Sequence, residues 1–139
     1  ARPGLRTQGP DRPHLILFWK VTTMTVRLYG IPNCDTVKKA RAWLAARGIE
    51  TVFHDYKKQG VPEARLDAWI QAVGWEVLVN RQGTLWRKLD DAAKAAVVDA
   101  ASARALALAQ PSVIKRPVVE WPGGRVSVGF DDADWARRL

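Results

Sequence analysis

"YGIPNCDTVKKA", residues 29–40, joins a strand-like run to a helix-like one, and at the junction stands Cys34, the only cysteine in 139 residues. Upstream, "TVRLYG" (25–30) alternates Val26, Leu28 and Gly30 against Arg27 and Tyr29, the period of a strand. Downstream, "DTVKKARAWLAARG" gathers Val37, Ala40 and Leu44 on one helical face. Lys38, Lys39, Arg41 and Arg47 take other faces, and Gly48 is a natural stop. "ETVFHDY" (50–56) then reads as a second strand. A return through a helix of this length favours a parallel, right-handed βαβ unit.

Farther along, Pro62 and Glu63 open a helix with Leu66, Trp69, Ile70 and Val73 as its apolar face and Gly74 at its end. "WEVLVN" (75–80) is compatible with a strand or a short helix, and "RQGTLWRKLDD" (81–91) reads as a loop with turns. Residues 90–109 are alanine-rich and helical with a break near Asp99, and Pro111 closes them. "VVEW" and "RVSVGF" flank "PGG" (122–124), the pattern of an antiparallel hairpin. "DDADWARRL" (131–139) forms a last helix, its acids at the start and arginines at the end. The order β-α-β, helical insertion, β-β-α predicts an α/β fold with a small mixed sheet flanked by helices.

Residues 24–139 are expected to form a single domain beginning near Met24. Residues 1–13 hold three prolines, two glycines and almost nothing to bury, and residues 1–23 as a whole read as a disordered or non-native extension. The alternative there is an additional edge strand at 15–22. The patch "LILFW" (15–19) is too short to span a membrane and lacks the small-residue cleavage pattern of a secretory signal. With one cysteine no internal disulfide can form, and the reading is cytoplasmic. One cysteine with two distant histidines, His14 and His54, matches no zinc spacing, so no metal is expected. Net charge is +8 with a pI near 10.2, which raises nucleic acid as a partner. The charge is scattered with no long basic block, which speaks against nucleic acid and for an ordinary solvated surface.

A thiol at a helix start faces unpaired N–H groups and the positive end of the dipole, and both favour thiolate. Buried free cysteines are nonetheless common and mostly inert, so position alone leaves a reactive thiol and a core filler open. "SVIKRPVVEW" (112–121) adds Lys115, Arg116 and Pro117 at a strand entry. Together, "YGIPNCDTVKKARAWLAARGI", "GWEVLVNRQGTLWRKL", "IKRPVV" and "GGRVSVGF" resemble the arsenate-reductase-like family, also called the ArsC/YffB/Spx group, closest to its YffB-type branch. The resemblance covers residues 25–138 and implies a thioredoxin-like fold with Pro117 as its cis-proline.

By the same resemblance Cys34 is the nucleophile, and Arg81, Arg116 and Arg125 match arginines that gather round the thiol to hold an oxyanion. Guanidinium forks suit that task, since they bind carboxylate or arsenate oxygens through paired hydrogen bonds. Trp75 and Trp86, which flank Arg81, read as packing residues. Arsenate reductases of the family carry a histidine a few residues before the cysteine. Here that position falls near Gly30, which counts against arsenate reduction. The redox-switch members carry Cys-x-x-Cys where this chain reads "CDTV". A Cys34 adduct therefore needs an external thiol, and glutathione, or another small thiol, is the expected co-substrate, with no bound cofactor. The reading is a glutathione-dependent thiol reductase. Its alternative is a non-catalytic regulatory module that docks on RNA polymerase, as the regulatory relatives do.

Overall fold

The structure, a computed structural model, describes residues 25–139. The expectations for the extension at 1–23 and for an edge strand at 15–22 lie outside the described residues. Strand β1 (Val26–Gly30) leads through a turn to helix α1 (Asp35–Ala46) and back to β2 (Thr51–Asp55). The helical insertion follows as α2 (Tyr56–Gln59), α3 (Glu63–Val73), α4 (Trp75–Leu78), α5 (Thr84–Lys88), α6 (Asp91–Ala95), α7 (Ala100–Ala109) and a 3₁₀ turn (Pro111–Val113). Strands β3 (Val118–Glu120) and β4 (Val126–Val128) and helix α8 (Asp132–Arg138) complete it. The four strands lie in the order β2-β1-β3-β4, with β1 and β2 parallel and the other pairs antiparallel. This is the mixed α/β, thioredoxin-like architecture that the sequence predicts.

Strand alternation sorts the core into two layers. Val26 and Leu28 of β1 face one side, where they meet Val37, Ala40 and Leu44 of α1, Val119, Trp121 and Trp135 of α8. Tyr29 and Val118 face the other, against Leu66 and Trp69 of α3, Leu78 of α4, and Ala103 and Ala107 of α7. Trp75 and Trp86 pack partly buried against this second layer. Within the first layer Trp135 stands edge-on to Phe130, Trp121 and Trp43, at centroid distances of 4.7, 5.0 and 5.6 Å. Such pairs add about 0.5–1.5 kcal/mol each beyond the area they bury.

Local chemistry explains where the elements depart from the simple periodic reading. The strand expected at 50–56 stops at Asp55, whose carboxylate accepts the Lys57 N–H and turns the chain into α2 with Tyr56 at its start. The "WEVLVN" segment resolves into helix α4, after which Val79 forms an isolated bridge with Ile114. The stretch expected as a loop at 81–91 contains helix α5. Extended Gly83 caps it, and the Arg87 N–H reaches back to the Gly83 carbonyl. The break near Asp99 is a capping box: the Asp99 carboxylate accepts the Ser102 N–H while the Ser102 hydroxyl faces the Asp99 backbone. A cap of this kind stabilises a helix by about 1 kcal/mol. Among the described residues no helix is long and apolar enough to cross a membrane.

Candidate active site

Strand register decides which residues meet Cys34. Helix α1 begins just beyond Gly30, at the C-terminal end of β1. The parallel partner of Gly30 is Asp55, so Tyr56 emerges at that same end. Strand β3 runs antiparallel with Val118 opposite Tyr29, which brings its entry, Arg116 and Pro117, to the same place. The Arg116–Pro117 bond is cis, and the Pro117 carbonyl accepts the Gly129 N–H from the end of β4. Three strand ends thus converge on the turn that carries the thiol.

Cys34 is the N-cap of α1, with extended backbone angles (φ −103°, ψ 126°), and its carbonyl accepts the first helical N–H, from Lys38. It is the free cysteine of the described residues and is half-buried. The neutral sulfur closes no capping hydrogen bond. Burial alone raises the thiol pKa. The Val37 N–H, the Arg116 guanidinium and the Thr36 N–H outweigh it, and the thiol lies below its ordinary value.

The Arg116 guanidinium is held from one side only. One terminal nitrogen donates to the Ser112 carbonyl at 3.1 Å, while the buried Nε has no partner among the described residues. Close by, the Tyr56 hydroxyl is also buried without a partner. Burial pushes the Tyr56 phenol far up despite the nearby Arg116 charge, so it stays a neutral donor. Gly30 is closely packed at this point. A Cβ there would stand 2.9 Å from a Val37 methyl carbon and 4.0 Å from the Arg116 Cβ. A side chain at position 30 would require the Val37 side chain to shift, so glycine suits the close approach of helix α1 to the end of β1.

The other two arginines named from the sequence make their contacts with other groups. Arg81 follows the segment that hydrogen-bonds to residues 113–115, yet its guanidinium turns over the Trp75 ring at 5.7 Å. It lines a separate cleft with Glu76, Asn80 and Lys115. Arg125 sits at the opposite end of the hairpin. Its carbonyl accepts the Trp121 N–H, and one terminal nitrogen reaches the Arg138 carbonyl at 3.4 Å. Four residue steps, through strand β4, separate it from Gly129, about 13 Å along the sheet. The structure therefore brings Cys34, Arg116 and Pro117 together and leaves Arg125 at the far edge.

Sequence reasoning passed over Tyr56, Thr84 and Lys88. Thr84 and Lys88 share one face of α5 and line, with Asn80, Ser112 and Arg116, a cleft beside the thiol-facing arginine. The signal was a glycine followed by residues spaced four apart in "GTLWRK", which fits one turn of helix as well as it fits a loop.

Comparison with known proteins agrees with this geometry. The chain is 39% identical over 110 residues to an uncharacterized protein of Haemophilus influenzae, covering 79% of this chain and 95% of that one. It superposes on a solved YffB protein with a TM-score of 0.77 and 50% identity, over 82% of this chain and 98% of the other. An arsenate reductase (ArsC) related protein from Brucella melitensis gives a TM-score of 0.66 at 53% identity, over 82% and 93% of the two chains. The ArsC family model matches residues 29–138, from the strand before Cys34 through the last helix. With that span matched and the fold shared, the chain belongs to the ArsC family and is related to the arsenate reductases.

Proposed function

We propose that the protein is a glutathione-dependent thiol reductase in which Cys34 is the nucleophile and Arg116 holds the thiolate and the anionic end of the substrate. The observation that carries this reading is the half-buried Cys34 sulfur, drawn below its ordinary pKa by helix N–H groups and by Arg116. In the first step the Cys34 thiolate attacks the glutathionyl sulfur of a mixed disulfide. A new S–S bond forms to Cys34, the old one breaks, and the other half departs as a thiolate that takes a proton from solvent. In the second, the thiolate of a free glutathione attacks the Cys34-bound glutathionyl sulfur and releases oxidised glutathione and the Cys34 thiolate. The external thiol is needed because Cys34 is the only cysteine in the sequence.

The position near which the family's arsenate reductases carry a histidine is Gly30 here, so arsenate turnover is expected to be weak or nil. The test is intact-mass measurement after exposure to oxidised glutathione. The expected result is one glutathionyl adduct on the wild type, none on Cys34→Ser, and removal of the adduct by reduced glutathione. A wild-type protein that takes up no adduct would overturn the reading and favour a docking module that needs no turnover.

A further inference from the structure

The cleft lined by Asn80, Thr84, Lys88, Ser112 and Arg116 sets these hydrogen-bonding side chains beside an apolar wall of Gly83 and Leu85. It contains no carboxylate. Every polar side chain in it can donate a hydrogen bond, and two carry a full positive charge. The Asn80 side-chain oxygen is already engaged by the Gln82 N–H at 3.2 Å, so its amide nitrogen is the group left to a ligand. Lys88 forms no ion pair among the described residues. Arg116 belongs both to this cleft and to the surroundings of the sulfur, and its buried Nε is without a partner. Those groups come from four separate segments: the α4–α5 connection, helix α5, the 3₁₀ turn at Ser112 and the strand entry at Arg116.

A cluster of donors and cations without a counter-charge is electrostatically incomplete, and an anion with several acceptor oxygens completes it. We propose that this cleft is a carboxylate subsite that selects, through Lys88, disulfides carrying a carboxylate a few bonds from the reacting sulfur over neutral or cationic ones. The inference rests on the thiol-reductase reading and adds to it the class of disulfide the site prefers. Lys88 is thereby a specificity-determining residue. Arg116 couples the two halves: it touches the sulfur on one side and the bound carboxylate on the other.

The experiment measures the rate at which Cys34 is converted to a mixed disulfide by three probes, namely oxidised glutathione (anionic), hydroxyethyl disulfide (neutral) and cystamine (cationic). The proteins are the wild type, Lys88→Gln and Arg87→Gln. Arg87 is an exposed neighbour on the same helix that does not line the cleft, so its loss changes net charge equally. Lys88→Gln is expected to slow the glutathione reaction roughly 3- to 5-fold, as befits one solvent-accessible ion pair, and to leave hydroxyethyl disulfide unchanged. Arg87→Gln should change neither, and added salt should narrow the wild-type preference. Equal rates with oxidised glutathione in both variants would overturn the subsite, as would an equal slowing of all three probes by Lys88→Gln. A wild type that reacts with hydroxyethyl disulfide but not with oxidised glutathione would also overturn it while leaving Cys34 a nucleophile. A wild type inert to every probe would remove the reductase reading itself.

Discussion

The two ends of β3 make an instructive pair, because each sets a charged side chain near an aromatic hydroxyl and each treats it differently. At the hairpin end the charge is Glu120, with only 11% of its side chain exposed. It accepts the Tyr29 hydroxyl at 2.8 Å, the Trp69 indole N–H at 2.9 Å and the Arg65 guanidinium at 3.0 Å. Three donors from β1 and α3 satisfy it, and burial together with Glu120 raises the Tyr29 phenol so that it stays a donor. At the other end, Arg116 has one backbone acceptor, a buried Nε without one, and beside it the unpartnered Tyr56 hydroxyl. Buried polar groups are normally satisfied because each open one costs about 1–3 kcal/mol. One end has been completed by the chain itself. The other keeps two donors open, which the carboxylate subsite proposed above would engage.

Removing the charge at each end therefore has a different signature. Arg116→Ala is expected to slow alkylation and glutathionylation of Cys34 at neutral pH roughly tenfold, the worth of one charge-assisted hydrogen bond, with little loss of stability. The pH profile supplies the sign. The folded thiol lies below its ordinary value, so the wild-type alkylation rate should inflect below a free cysteine's, and Arg116→Ala should move the inflection upward. By linkage, the thiolate's contribution to stability is fully present above the unfolded thiol's pKa and is lost as pH falls through the folded one. An inflection that does not move in Arg116→Ala would show that the helix N–H groups alone activate the sulfur.

Glu120→Leu should behave in the opposite way. It leaves the Tyr29 hydroxyl and the Trp69 N–H without their acceptor and frees Arg65, at a cost of about 2–4 kcal/mol in urea unfolding. The rate of Cys34 modification, measured below the unfolding transition, should stay within about twofold of wild type, since Glu120 bonds to Tyr29, Trp69 and Arg65 and to neither Cys34 nor Arg116. A large loss of reactivity at unchanged stability would mean that the two ends are coupled rather than contrasting.

What the sequence made legible follows from how local each signal is. The βαβ unit around Cys34 is written in short periods: alternation in β1, one apolar face in α1, a glycine stop. Those periods returned the buried set Val37, Ala40 and Leu44 directly. The hairpin was legible because a proline–glycine–glycine turn between two apolar runs has few other uses. Helix α5 was hidden because its five residues carry too little periodicity to outweigh the flanking turn residues. Tyr56 was hidden because a strand pattern runs through it and only the Asp55 side chain ends the strand there. For the site, the resemblance supplied three arginines as a set. Which of them share a space depends on register, with Val118 opposite Tyr29 and Val126 opposite Glu120, and register across 90 residues of chain is not a property of any motif.

Arg125→Ala carries the smallest expected effect and bears most directly on that last point. Arg125 has an exposed guanidinium whose contact is the Arg138 carbonyl at 3.4 Å, a long and solvent-open hydrogen bond. Removing it should alter stability by less than about 0.5 kcal/mol, as surface substitutions usually do. Its distance from Gly129, about 13 Å along extended chain, exceeds the Debye length of about 8 Å at physiological salt. Its charge therefore reaches Cys34 only weakly, and the glutathionylation rate should match wild type to within about 1.5-fold at that ionic strength. Lowering the salt provides the sharper version. If a small deficit in Arg125→Ala grows as salt is removed, the residue contributes only to the general positive field that draws anions in. If instead the deficit is large and indifferent to salt, Arg125 contacts the substrate directly. The hairpin must then fold over the site when ligand binds, and the open end of the sheet is closed by a group now held at the opposite end.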